Sequence, residues 1–220
     1  MPRIVLEACV ESLAAALAAE QGGAGRVEVC ASLEVGGETP PDELVRECLR
    51  RLAIPVFVLV RPTPGSFVVG RPGLGLLVEQ VRRAADLGAA GVVAGALTDE
   101  GAVDRVAVET ILAAAGPPPV TFHRAFDEVT DQAAALEELI GLGVRRVLTS
   151  GGAPTAADGV DRLRALVRQA AGRIVILAGG SVRAHNAAAL VRSSGVAEIH
   201  SRTPADAAEV RALVLAANGA

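Results

Sequence analysis

The sequence predicts one (β/α)8 barrel of the TIM type, a single domain over residues 1–220. Eight short runs rich in β-branched residues alternate with eight Ala- and Leu-rich stretches of helical period. Glycine turns lead from helices directly into strands, as at Asp86-Leu87-Gly88-Ala89, and no linker interrupts the series. An open doubly wound sheet is the alternative fold, but no Gly-x-Gly-x-x-Gly motif follows the first strand.

The residue composition and the spacing of the apolar residues predict where each strand and helix begins and ends. The predicted strands are Ile4–Cys9, Arg26–Cys30, Val56–Val60, Gly91–Ala94, Val120–His123, Arg146–Thr149, Ile174–Leu177 and Ala197–His200. The predicted helices lie near residues 11–21, 41–52, 73–87, 104–115, 131–141, 156–171, 184–193 and 205–217. The sixth helix shows the period clearly, because Val160, Leu163, Leu166 and Val167 form one apolar stripe with charges opposite.

The composition also excludes several classes of function. All 21 basic residues are Arg, so the chemistry of Schiff-base, pyridoxal-phosphate and P-loop lysines is excluded. The net charge of −4 without a basic run predicts that the protein does not bind nucleic acid. No apolar run reaches the roughly 18 residues that span a bilayer, so no membrane association is expected. Three Cys without a signal-peptide pattern predict reduced thiols in the cytoplasm.

Polar residues stand at the carboxyl ends of the predicted strands, where the active sites of such barrels lie. The most informative stretch is 121–127, in which an apolar strand ends in His, Arg and Asp. Desolvating these groups costs free energy unless they are paired or used in function. Glu7 and Cys9 alternate with apolar residues, so both are expected to face the barrel interior. The predicted acid, base or ligand-binding residues are Glu7, Glu28, Arg61, His123, Arg124, Asp127 and His200.

A structural salt-bridge network inside the barrel is the alternative for this charged set. Charged residues are rarely buried unless they are paired, so some of them are expected to pair with one another. For Glu198 the structural and the functional interpretations are equally supported.

Two glycine-rich turns predict a site for an anion. After the sixth and seventh strands, exposed N–H groups and a helix N-terminus would hold a phosphate or a carboxylate. The predicted anion-binding residues are Ser150, Gly151, Gly179, Gly180 and Ser181. Ordinary turn formation is an equally supported interpretation of these glycines.

Cys9 and Cys30 occupy matching Glu-x-Cys runs on adjacent predicted strands, which lie about 4.8 Å apart. Two neighbouring thiolates suit Cu(I). Without Cys-x-x-Cys or Cys-x-x-His spacing, the residues alone favour packing of these cysteines over a metal site. Cys48 lies on an apolar helical face and is expected to pack, and His185 is expected to be a solvated surface residue.

The same runs resemble the CutC family, the copper homeostasis proteins. The matching stretches are Leu6–Val10, Val27–Ala31, Leu33–Pro40, Val60–Pro62, Gly95–Thr98, Thr121–Asp127, Leu148–Gly152, Gly179-Gly180 and Ile199–Ser201. The resemblance implies a cytoplasmic TIM barrel that forms a homodimer or a higher homo-oligomer. It also implies a role in copper homeostasis, with Cu(I) bound at Cys9 and Cys30. The loop 61–67 departs from the family pattern, because it lacks a basic and an acidic group usual there.

Two functional hypotheses follow. The first is a CutC-like protein that binds a copper ion as Cu(I) through Cys9 and Cys30, aided by His123 or His200. The second is an enzyme, metal-independent or metal-assisted, that acts on a small anionic metabolite at the mouth of the barrel. The residues alone favour the second, because the ionisable cluster is larger than the thiol pair, whereas the family resemblance favours the first.

Overall fold

The computed structural model describes residues 3–219 and confirms the closed (β/α)8 barrel. Each strand is parallel to its neighbours and pairs with the next strand in the chain, and the last strand pairs with the first. The strands are β1 (Val5–Val10), β2 (Arg26–Val29), β3 (Val56–Leu59), β4 (Gly91–Ala94), β5 (Val120–Phe122), β6 (Arg146–Thr149), β7 (Val175–Ala178) and β8 (Glu198–Arg202). This order brings all carboxyl-terminal strand ends to one face.

Within residues 3–219, eight α-helices surround the barrel. They are α1 (Leu13–Gly22), α2 (Asp42–Arg51), α3 (Gly70–Asp86), α4 (Arg105–Ala115), α5 (Gln132–Leu142), α6 (Val160–Ala170), α7 (Ala184–Ser194) and α8 (Ala207–Ala217). Side chains of Ser12, Asp104, Asp131 and Asp206 accept hydrogen bonds from first-turn N–H groups, which stabilises the starts of four helices. Short 3-10 helices cover Leu33–Val35 and Arg124–Glu128. Over residues 3–219, no helix has the length and apolar character of a membrane span.

Several strand and helix ends differ from the prediction by one to four residues, and for three of these differences the contacts give a physical reason. Strand β5 ends before His123, because that side chain accepts the Ala125 N–H and begins the 3-10 helix. Helix α6 begins four residues later than expected, since the Ala156 N–H donates to Gly180 O and ties this segment to the loop after β7. Strand β8 continues to Arg202 because it pairs with β1 as far as Cys9.

An apolar cluster fills part of the barrel interior. Cys9, Cys30, Phe57, Leu59 and Val93 form a buried cluster in the interior. The guanidinium carbons of Arg26 and Arg146 each lie 5.4 Å from the centroid of the Phe57 ring. The barrel interior is therefore filled at its amino-terminal side and opens at the carboxyl-terminal mouth.

Candidate functional site

A paired network, here called the lower charged layer, consists of Arg26, Arg146, Glu7 and Glu198. Glu198 Oε2 accepts hydrogen bonds from Arg26 Nη2 at 2.5 Å and from Arg146 Nε at 2.8 Å. Arg26 Nε donates to Glu7 Oε2, and all four residues are at least largely buried. Each carboxylate thus faces a guanidinium, so for Glu198 the structural interpretation holds and its charge is compensated within the barrel.

Glu7 connects this layer to His200 at the mouth. Glu7 Oε1 lies 2.8 Å from His200 Nδ1. Burial alone would raise the pKa of Glu7, but Arg26 and His200 outweigh it and bring the pKa to about 2. Burial would lower the pKa of His200, but its hydrogen bond to Glu7 and the charges of Glu28 and Glu7 raise it above the ordinary value. Glu7 is therefore ionised at neutral pH and holds the His200 ring in place.

Glu28 has unused hydrogen-bonding capacity. Its Oε2 lies 3.3 Å from His200 Nδ1, yet that nitrogen is bonded to Glu7, and Oε2 has no hydrogen-bond partner within residues 3–219. Burial, and to a lesser extent the Glu7 charge, raises the pKa of Glu28 to about 8 against the opposing effect of His200. The protonated form of Glu28 is therefore favoured more than that of an ordinary glutamate, and the side chain lines the cavity at the mouth.

The two interior thiols are in contact. Cys9 Sγ and Cys30 Sγ lie 3.4 Å apart, and Cys30 Sγ also lies 3.4 Å from Val10 O. Cys9 Sγ, a carboxylate oxygen of Glu28 and a ring nitrogen of His200 lie within 4.8 Å of one another. The hydrogen bond to Cys30, together with burial and the Glu28 charge, raises the pKa of the Cys9 thiol well above its usual range. In the metal-free protein this thiol is therefore protonated.

His123 lies at the same mouth but makes different contacts. Its Nδ1 accepts the Ala125 N–H at 3.3 Å, and the Phe67 ring packs over it with the centroids 4.8 Å apart. Burial, aided by the Arg61 charge, lowers the pKa of His123 to about 3. The pKa values of the two mouth histidines are therefore shifted in opposite directions, downward for His123 and upward for His200.

Arg61 joins the loop after β2 to the loop after β3. Its guanidinium donates to the carbonyl oxygens of Val35 at 3.2 Å, Gly37 at 3.0 Å and Gly65 at 2.8 Å. It also lies 4.9 Å from the centroid of the Phe67 ring. Main-chain carbonyls thus bind Nη1 and Nη2, while the buried Nε has no hydrogen-bond partner within residues 3–219, and Arg61 forms part of the cavity wall.

Asp127 and Arg124 form the link between the loops after β5 and β6. Asp127 Oδ1 accepts the Thr149 hydroxyl and the N–H groups of Ser150 at 3.0 Å and Gly152 at 2.9 Å. Arg124 donates to Asp127 Oδ2 at 2.8 Å and to Ser150 Oγ at 3.0 Å. The N–H groups of Ser150 and Gly152 donate to the Asp127 carboxylate, so they are not free to bind an external anion.

The loop after β7 retains free donors. The Gly179 N–H donates to Thr149 O at 3.0 Å, but within the described chain the N–H groups of Gly180 and Ser181 have no acceptor. Gly180 has φ 112°, and a Cβ there would lie 3.1 Å from Ser150 Cβ, so glycine is required for this close approach. Of the predicted anion-binding residues, Gly180 and Ser181 line the cavity, whereas Gly151 donates to Thr149 Oγ1.

A cavity of about 230 Å³ collects these groups at the mouth. Its apolar wall comprises Leu33, Leu59, Phe67 and Leu148, and its polar lining comprises Cys9, Glu28, Arg61, His123, Arg124, Gly180, Ser181, Arg183, His200, Ser201 and Arg202, with Gly36. Three further predicted residues contact the lining from outside the cavity. Glu7 bonds to His200, Cys30 contacts Cys9, and Asp127 pairs with Arg124.

Sequence reasoning did not single out three contributors to the site. Arg26 shares the inward face of β2 with Glu28 and Cys30, so strand alternation could have found it. Phe67 and Arg183 sit in loops, where no periodicity indicates the direction of a side chain.

Comparison with known proteins gives consistent results over most of the chain. Residues 4–204 match the model of the CutC family. The human copper homeostasis protein cutC homolog is 41% identical over 196 residues, which cover 89% of this chain and 72% of the human protein. The family protein CutC of Xanthomonas axonopodis pv. citri is 44% identical over 196 residues, covering 89% of this chain and 82% of that protein.

Solved structures agree with this assignment. A crystal structure of the putative copper homeostasis protein CutC from Streptococcus agalactiae superposes with a TM-score of 0.86 at 33% identity, covering 90% of this chain and 97% of that chain. Phosphoribosylanthranilate isomerase from Pyrococcus furiosus shares only the fold, with a TM-score of 0.64 at 18% identity over 99% of this chain and 100% of that chain. The family model and the relatives together show that the chain belongs to the CutC family of copper homeostasis proteins.

Proposed function

We propose that this protein binds Cu(I) at the mouth of its barrel through the thiolates of Cys9 and Cys30. The observation that carries this proposal is the 3.4 Å contact between the two sulfur atoms. Soft thiolate ligands select Cu(I) over hard cations, and the buried, apolar surroundings of the pair limit competition from water. The copper homeostasis role named for the human relative is consistent with this assignment.

His200 is the better third ligand of the two mouth histidines. A ring nitrogen of His200 lies within 4.8 Å of Cys9 Sγ and Glu28, whereas His123 is outside that cluster. His200 Nδ1 is held by the Glu7 carboxylate, and Nε2 has no hydrogen-bond partner within the described residues. Metal-ligating imidazoles commonly have one nitrogen bonded to a carboxylate in this way.

Cu(I) binding must release the thiol protons. Because the Cys30 contact and burial raise the pKa of Cys9, the thiol has to lose a proton before it can act as a thiolate ligand. We therefore expect the affinity for Cu(I) to increase as the pH rises. The raised pKa of His200 acts in the same direction if that residue ligates the metal.

The test is a Cu(I) titration against a competing chelator, with wild type and the Cys9→Ser/Cys30→Ser double variant. We expect the double variant to lose more than about 100-fold in affinity, beyond the usual effect of an outer-shell change. Cys48→Ala is the matched control, because Cys48 is a buried thiol that packs in the apolar core away from the mouth. Equal affinity in wild type and double variant would eliminate the thiol site.

A second candidate function is an enzyme that acts on a small anionic metabolite. It is supported by the cations around the cavity, Arg124, Arg183, Arg202 and the readily protonated His200, and by the free N–H groups of Gly180 and Ser181. In this role Glu28 is the acid or base, because one of its oxygens has no partner. The anion would bind between the arginines and the loop after β7.

Thermal shift with phosphorylated and carboxylated metabolites tests the second function. We expect stabilisation of wild type and a reduced shift for Arg202→Gln. Arg105→Gln is the control, because both arginine side chains are 58% exposed and each pairs with one glutamate, but Arg105 lies on α4 outside the cavity. If no metabolite stabilises wild type, or if both variants respond like wild type, this candidate fails.

Location and assembly stay predictions. Three free, buried thiols support a reducing compartment such as the cytoplasm. Light scattering at several protein concentrations would test the expected homodimer or higher homo-oligomer.

A further inference from the structure

The ring of His123 is held on three sides. The Ala125 N–H donates to Nδ1, the Phe67 ring covers one side, and the Phe122 ring meets it edge-on at 5.9 Å between centroids. Gly95 makes room for the ring, since a Cβ there would lie 3.1 Å from His123 Nδ1 and Cε1. The orientation of the imidazole is therefore set by the fold before any ligand arrives.

These contacts also determine which nitrogen carries hydrogen. Because Nδ1 accepts a hydrogen bond, the hydrogen of the neutral ring is on Nε2. No group within residues 3–219 hydrogen-bonds to Nε2, and Nε2 is not among the enclosed unpartnered atoms of the described chain. His123 lines the 230 Å³ cavity, so its unused N–H is open to that space.

We propose that the Nε2–H of His123 binds the carbonyl oxygen of a small anionic carbonyl compound in the cavity. A neutral imidazole donor suits an oxygen that is polarised towards negative charge, because it donates without giving up its proton. The Phe67 ring packs against this imidazole, and such apolar surroundings on one side of the donor strengthen a hydrogen bond made there. The inference rests on the second candidate function, since the anionic group of the same ligand would bind at the arginine-lined rim.

A site that recognises only the anionic group would bind a ligand with a carbonyl and a ligand without one equally tightly. Two pairs of probes distinguish such a site from one that also binds the carbonyl oxygen. Pyruvate and propionate share a carboxylate but differ in a ketone oxygen, and acetol phosphate and propyl phosphate are the corresponding phosphate pair. Binding of each probe to wild type, His123→Gln and His123→Ala is measured by ligand-detected NMR titration.

In wild type we expect the carbonyl member of one pair to bind about 3- to 10-fold more tightly, as for one neutral hydrogen bond. His123→Gln keeps a side-chain N–H near the Nε2 position and should retain part of this preference, whereas His123→Ala should lose it. The pair that shows the preference identifies the anionic group as a carboxylate or a phosphate. The 13C resonance of the bound carbonyl should move downfield in wild type but not in His123→Ala.

Other outcomes overturn the inference in distinguishable ways. Equal binding of both members of each pair to wild type removes the carbonyl site but leaves anion binding intact. A preference that persists in His123→Ala assigns it to another residue. If no probe binds, the inference fails together with the second candidate function.

A measurement on wild type alone guards against misfolding of the variants. The 15N chemical shifts of His123 report which nitrogen is protonated. We expect a protonated Nε2 and an unprotonated Nδ1 at pH 7, and the opposite tautomer or a doubly protonated ring would overturn the inference.

Discussion

Glu7 and Glu28 are buried glutamates on neighbouring strands, but their surroundings differ. In the lower charged layer, each oxygen of Glu7 has a partner, Arg26 on one side and His200 on the other. At the mouth, one oxygen of Glu28 has none within residues 3–219 and lies against the cavity. Burial and residue type are the same, so it is the unused hydrogen-bonding capacity beside a cavity that distinguishes the candidate functional residue from the structural one.

The largest expected effect comes from neutralising the paired glutamate. Glu7→Gln leaves the buried Arg26 guanidinium without one of its two carboxylates and removes the charge that holds His200. We expect the free energy of unfolding to fall by about 3–5 kcal/mol at pH 7. Urea denaturation measures this, and an unchanged midpoint would show that the ion pair contributes nothing net.

Lowering the pH should decrease the free energy of unfolding through His123, the neutral histidine at the mouth. The pKa of His123 is lowered to about 3 in the folded protein from an ordinary 6.5, so the unfolded chain binds the proton more readily. Its contribution to stability is complete above pH 6.5 and is lost as the pH falls towards 3, by at most about 1.4 kcal/mol per pH unit.

His123→Gln cannot take up this proton. We expect its free energy of unfolding to fall less than that of wild type between pH 6.5 and pH 4.5, with a difference of about 2–3 kcal/mol. Denaturation curves at several pH values measure the difference. Parallel pH profiles would mean that the folded ring titrates normally.

Glu28→Gln should act in the opposite direction from Glu7→Gln. The raised folded pKa, about 8, means that the unfolded chain releases this proton first, so the contribution of Glu28 to stability is lost as the pH rises from 4.5 to 8. Glutamine removes that loss, and we expect a gain of about 1–3 kcal/mol at pH 7 and little change at pH 4.5. If Glu28→Gln destabilised the protein at pH 7, the Glu28 carboxylate would be a structural ion-pair partner like that of Glu7. A gain would fit a residue kept for function at the expense of stability.

The smallest expected effect concerns the cavity wall. Arg61→Met removes the guanidinium that binds carbonyl groups of the loops after β2 and β3. We expect a loss of about 1–2 kcal/mol, together with faster hydrogen exchange over residues 31–40 and 61–69. Arg105→Met is the control, because the Arg105 guanidinium pairs with Glu109 on its own helix α4, outside both loops. Unchanged exchange in these loops would show that they are held by other contacts.

Much of the fold could be predicted, because each element carries a local signal. Strand alternation also indicated that Glu7, Glu28, Cys9 and Cys30 face inward, and the register pairs Cys9 with Glu28 on the next strand. The contacts of the site residues that lie on loops could not be predicted from the sequence to the same extent. The carbonyl contacts of Arg61 and the N–H contacts of Asp127 depend on loop paths that follow no period.

The sequence by itself determined the barrel, the family and the set of polar residues that reach its mouth, since these follow from period, composition and motif along the chain. Only the tertiary structure decided that Glu7 is fully paired, that Glu28 is not, and that the pKa values of His123 and His200 shift in opposite directions. The physical reason is that a pKa and a hydrogen-bond partner depend on burial and on groups distant in the chain, such as Arg26 beside Glu7 and Arg61 near His123.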